Sequence, residues 1–94
     1  MNIWKFTLVL QALNRIEMPT GARVLSVANQ HEYVCLWAEI PDPSAPKIDH
    51  VFVMRVTGDN PLSIDHQIEL RFLGTVLLAD ATFVAHIYEA IKKE

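Results

Sequence analysis

Ala22–Ile40 reads Ala-Arg-Val-Leu-Ser-Val-Ala-Asn-Gln-His-Glu-Tyr-Val-Cys-Leu-Trp-Ala-Glu-Ile. The stretch predicts two strands joined by a polar turn over Asn29–Glu32, longer than the two-residue Asn-Gly type. In its second half Tyr33, Cys35 and Trp37 share one face of a strand, and Val34, Leu36, Ala38 and Ile40 the other, because side chains alternate with a period of two. Both faces are largely apolar. Such a strand belongs in the middle of a layered β-structure, or has one face covered by another subunit.

The chain on either side of this hairpin repeats the pattern. In Ile3–Leu10 the residues Trp4, Phe6, Leu8 and Leu10 fall on one face, and Lys5 and Thr7 on the other. Asn14–Met18 puts Ile16 and Met18 inward and Arg15 and Glu17 outward, and Pro19-Thr20-Gly21 ends it, because proline lacks an amide donor and glycine tolerates positive φ. Pro41–Lys47 holds three of the five prolines and predicts a stiff exposed loop. Residues 49–57 set Phe52, Met54 and Val56 opposite Val51, Val53 and Arg55. Gly58–His66 is the longest polar connection. Gln67–Leu73 alternates with Ile68, Leu70 and Phe72 inward and Glu69 and Arg71 outward, and Gly74 marks a bulge or bend. Thr82–Tyr88 fits a returning strand after an Ala79-Asp80-Ala81 turn. Val84, Ile87, Tyr88 and Ile91 also fit a helical stripe. The sum is an all-β chain, a small antiparallel sandwich or barrel of about seven strands with a short C-terminal helix as the alternative ending.

Ninety-four residues, 51% hydrophobic and 20% charged, make one domain over residues 1–94, with enough apolar content for a core. The net charge of -3, with basic residues scattered rather than clustered, argues against nucleic-acid binding. A single cysteine forms no intrachain disulfide. The N-terminus lacks the pattern of a secretory signal, and no apolar run approaches the ~20 residues of a membrane span. The expectation is an intracellular protein with no membrane partner.

No constellation of residues predicts catalysis. His50 follows Asp49 and His66 follows Asp65, and neighbours in a strand point to opposite faces, so neither pair chelates a metal. Cys35 sits mid-strand, not on an exposed turn or helix N-terminus where a thiolate is favoured, and reads as a small buried hydrophobe. The three serines lie in no Gly-x-Ser-x-Gly elbow, and the three glycines form no phosphate-cradling loop. Neither catalytic residues, nor a metal site, nor a cofactor is therefore expected. Tyr33 and Trp37, with Arg55 or Arg71 beside them, are the candidate binding residues, since tyrosine, tryptophan and arginine dominate interface hot spots. Core packing is the plain alternative for Trp37. Tyr33, nearer the turn, fits either role.

Ile3-Trp4-Lys5-Phe6, Ile16-Glu17-Met18-Pro19 with Gly21-Ala22, Leu25-Ser26-Val27, Gln30, Cys35-Leu36-Trp37-Ala38, Leu73-Gly74-Thr75 and Phe83-Val84-Ala85-His86 occur in this order. With them the chain resembles a family of small uncharacterised proteins encoded in bacteriophage and prophage genomes. The resemblance spans nearly the whole chain and departs from it at the longer polar loop around Asp59–His66. It implies a short, mostly β phage accessory protein, and it favours a strand over Thr82–Tyr88. The leading expectation is a binding protein acting in the host cytoplasm on a host protein, for example in a defence system. A second is an oligomer that sequesters a small, nucleotide-like molecule between subunits with Arg15, Arg23, Arg55 or Arg71. A third is a minor structural component of the virion. The doubly apolar strands also predict a homodimer that buries part of the Tyr33–Trp37 face or an edge strand beside it.

Overall fold

The computed structural model describes residues 2–58, 66–79 and 82–92. Seven strands follow one another: β1 (Asn2–Leu8), β2 (Leu13–Pro19), β3 (Arg23–Gln30), β4 (Tyr33–Ile40), β5 (Lys47–Val56), β6 (Ile68–Leu78) and β7 (Phe83–Lys92). All pairings are antiparallel. They build two sheets, one ordered β1-β4-β3 and the other β2-β5-β7-β6. The all-β reading is correct, and the C-terminal segment is a strand. No helix long and apolar enough to cross a membrane occurs among the described residues.

The core lies between the sheets. One wall is Val34, Leu36, Ala38 and Ile40 of β4 with Leu8 of β1, and the other includes Phe52, Met54, Val76, Leu78, Ala85 and Ile87. Trp4 and Phe6 pack against it from β1. Each fully buried side chain of the size of Leu36 or Phe52 contributes about 1.5–3 kcal/mol through apolar burial. The alternation expected for β1, β2, β4 and β5 is therefore observed, except at Leu10. That residue is exposed because β1 ends at Leu8, before its partner strand β4 runs out.

Two further expectations are corrected. The β3–β4 turn is short: Gln30 pairs with Tyr33, leaving only His31 and Glu32 between the strands. His31 takes φ of +56°, a left-handed conformation that histidine adopts more readily than most residues. The second correction concerns β6. Gly74 is indeed at a bulge, with the register shifting between Phe72 and Gly74. The extra residue reverses the strand's phase. Beyond the bulge Val76 and Leu78 point inward, but before it Phe72 pairs with Tyr88 and Leu70 with Ala90. Tyr88 in turn pairs with Val53, which alternates with the core residues Phe52 and Met54. Leu70 and Phe72 thus lie on the outer face, and Glu69 and Arg71 on the opposite one. Glycine is required at the bulge: a Cβ there would stand 2.7 Å from Val27 Cγ2 of β3, where the two sheets meet at one edge.

The Pro41–Lys47 loop is mostly exposed, as expected, and is held by Ser44, whose amide and hydroxyl donate to Asp42 Oδ1 at 3.0 and 2.7 Å. These bonds hold the Asp42 carboxyl below its usual range. Most of the polar connection read at Gly58–His66, and residues 80–81 of the last turn, lie outside the described residues.

Candidate functional site

The corner between β1 and β2 is fixed by one buried polar residue. Asn14 Oδ1 accepts from the amide of Val9 at 2.9 Å, and Asn14 Nδ2 donates to the carbonyls of Val9 (3.0 Å) and Gln11 (3.4 Å). An asparagine buried this deeply needs such partners, because an unsatisfied buried amide is costly. The clamp carries the chain from one sheet to the other and leaves Val9 and Leu10 exposed on the bend.

Tyr33 faces this corner. The last β1–β4 pair is Leu8 with Val34, so Tyr33 sits one position beyond it with no β1 partner. It is 63% exposed. Between Tyr33 and the corner lies a groove of about 350 Å³, lined by Leu8, Val9, Leu10 and Tyr33, with Glu32 at its rim. An open apolar groove with one aromatic wall and one carboxylate is suited to receive an apolar side chain beside a basic group. In sequence Val9 and Leu10 read as the continuation of a strand, which gives no sign of a site there. The signal for the bend was Asn14, a polar residue at the inward position of an alternating strand.

The other candidate binding residues do not join Tyr33 there. Trp37 shares its face of β4 but is half-buried, with Lys5 and Ser26 as its cross-strand neighbours. Arg55 is on the outer face of the other sheet, beside His86 of β7. Its Nε is buried without a hydrogen-bond partner. Arg71 is exposed on β6, opposite Glu89 in the register. Of the remaining arginines, Arg15 is exposed on β2 and Arg23 lies 3.7 Å from Glu39. The four arginines considered for an anionic ligand therefore do not converge within one chain.

Cys35 is 2% exposed, as expected. Its burial on an outer face has a specific cause. Lys5 Nζ donates to Gln30 Oε1 at 2.7 Å, joining β1 to β3 across β4. Lys5 pairs with Trp37 and Gln30 with Tyr33, so the bridge passes over the residue between them. The thiol lies 3.8 Å from Thr7 Oγ1 and lines a hollow of about 160 Å³ shared with Lys5 and Gln30.

His50 and Asp49 point to opposite faces as expected. His50 turns inward, stacks on Phe52 and sits 3.0 Å from Glu89 Oε2. His86 is held by two hydroxyls, with Thr57 Oγ1 at 2.8 Å and Thr75 Oγ1 at 3.0 Å. Among the described residues no three His, Cys, Asp or Glu side chains gather as a metal-binding group would require.

Neither the curated proteins nor the solved structures contain a match to this sequence. The family comparison is positive over the full length, and the chain belongs, through residues 1–94, to the family described as Domain of unknown function (DUF7352).

Proposed function

We propose that this protein is a bacteriophage-encoded accessory binding protein that acts on a host protein in the host cytoplasm, by association and not by catalysis. The observation that carries the reading is the groove beside Tyr33. A tyrosine 63% exposed next to two exposed aliphatic residues, on a corner locked by Asn14, is a preformed apolar contact point. Its partner presents an apolar side chain to Tyr33 and Leu10, with a lysine or arginine to meet Glu32. The phage assignment rests on the sequence resemblance, and a defence factor is the class of host target it suggests.

Native mass spectrometry of the protein recovered from its bacterial host tests this. A host protein retained by the wild type and lost from Tyr33→Ala and Val9→Asp supports the proposal. A bound molecule of nucleotide size, or recovery only with virions, refutes it in favour of sequestration or a structural role.

A further inference from the structure

The outer face of the four-stranded sheet carries a row of apolar residues across every strand. Leu13 pairs with Val53, Val53 with Tyr88, and Tyr88 with Phe72. Leu13 and Phe72 at the two ends are each 55% exposed. Beside this row runs a second, Arg15–Val51–Ala90–Leu70. Along β5 the outward residues are, in order, Asp49, Val51, Val53 and Arg55. The side chains of Asp49 and Arg55 have no hydrogen bond or ion pair among the described residues, and Arg55 Nε is buried.

This order is its own complement when reversed. An acid and a base stand at the ends, with two valines between. We infer that this face is where two copies of the chain meet, related by a two-fold axis that lies between the sheets, perpendicular to β5, and crosses above Phe52. The rotation reverses β5 over itself. It sets each Asp49 against Arg55 of the other copy, with Val51 and the Val53 that its own chain already covers (3% exposed) between the charged ends. On the neighbouring strands it sets Tyr88 over Ala90 and Phe72 over Leu70, a large residue against a smaller one each time. Arg15 lies over Leu13, its aliphatic stem covering the leucine. The other in-plane axis, parallel to β5, would stack Arg55 on Arg55 and Asp49 on Asp49, and like charges brought together oppose association. Charge pattern therefore selects both the occupant and the direction of the axis. The face belongs to the sheet opposite the one that bears Tyr33, so this inference and the groove reading stand or fall separately.

The patch spans four strands and the seven residues from Asp49 to Arg55, roughly 20 × 20 Å, which is below the size of standard stable interfaces and implies weak association, so it is followed from about 1 µM to about 1 mM. Sedimentation equilibrium is expected to show the mass rising from 10.7 kDa towards twice that value. Asp49→Arg and Arg55→Asp each put like charges at both ends of the face and weaken the dimer at least about tenfold. Mixing the two variants restores it, because each then supplies the charge the other lacks. The double variant also dimerises as the wild type does. Phe72→Glu alters a residue exposed in the single chain, keeps the circular dichroism spectrum, and abolishes association. A mass of 10.7 kDa throughout overturns the inference. So does a dimer indifferent to Asp49→Arg and Phe72→Glu, or a mixture of folded single variants that stays monomeric. Should Arg55→Asp not fold, Asp49→Arg and Phe72→Glu decide alone.

Discussion

The outer faces of the two sheets begin from the same sequence rule, alternating residues with apolar side chains on both sides, yet they present different surfaces. On the three-stranded sheet Cys35 and Trp37 on the outer side of β4 are buried or half-buried within the chain, and only Tyr33 at the strand's end stays exposed among them. The Lys5–Gln30 hydrogen bond passes over Cys35, and Arg23 reaches Glu39 at the far end. On the four-stranded sheet the cross-strand row from Leu13 to Phe72 has no such bridge among the described residues, and the side chains of Asp49 and Arg55 have no hydrogen bond or ion pair there. A central apolar strand can be protected by long polar side chains on its two flanking strands, which reach across it. A four-stranded sheet has two inner strands, and the same side chains cannot span both.

The bulge at Gly74 sets the side on which Leu70 and Phe72 lie, and Gly74→Val disturbs it with an effect among the largest. The new Cβ meets Val27 at 2.7 Å and its methyls add further crowding, so unfolding in urea should show a loss of about 3 kcal/mol. A loss below about 0.5 kcal/mol would mean that the bulge tolerates a side chain and does not hold Phe72 outward. A carboxylate placed on each face sharpens the contrast. Cys35→Asp enters a covered position and should cost about 2–4 kcal/mol, whereas Phe72→Asp enters an exposed one and should change the stability of the single chain by less than about 1 kcal/mol. Equal losses would show that the two faces are covered alike. Removing the bridge comes next. Lys5→Ala should raise the rate of native thiol labelling at Cys35 by about tenfold, since access to the thiol is then limited by the bridge. An unchanged rate would assign its protection to the sheet alone. The smallest effect is at the end of the covered face. His31→Gly relieves a left-handed residue and should stabilise the fold by about 0.5–1 kcal/mol in thermal unfolding. Destabilisation would show that His31 contributes contacts worth more than its strain.

Much of the architecture could be read directly from residue alternation. It put Ile16 and Met18 inward and Phe6 and Leu8 on the apolar face of β1, it grouped Leu36 with Ile40 and Phe52 with Met54 without choosing their buried side, and it marked Gly74 as a bulge or bend. What it misread was the consequence of that bulge. Ile68, Leu70 and Phe72 look like an inward set because they are the apolar members of a clean alternation. The phase is instead set by Val76 and Leu78, on the far side of the inserted residue. A strand apolar on both sides gives no internal indication of which side is buried. The site was less legible still. Tyr33 was identifiable by residue type and by its nearness to a turn. Its groove depends on where β1 stops relative to β4, and on an asparagine whose partners are peptide groups. The grouping of Tyr33 with Arg55 fails for a simple reason: sequence reading assigns residues to faces of a strand, but not strands to sheets.

The strand order also bears on how the chain reaches this state. Only β3–β4 and β6–β7 are hairpins between neighbours in sequence. The pairings β1–β4, β2–β5 and β5–β7 each enclose at least one other strand, so their loops must close before any contact is gained. Chains dominated by such pairings fold in milliseconds to seconds, far more slowly than helical bundles. The two hairpins are the natural early units, and neither contains β1, β2 or β5. On the ribosome β1 emerges well ahead of β4, its only neighbour in the sheet. During synthesis Trp4, Phe6 and Leu8 therefore wait unpaired, and this interval is when the nascent chain is most open to association with the wrong strand.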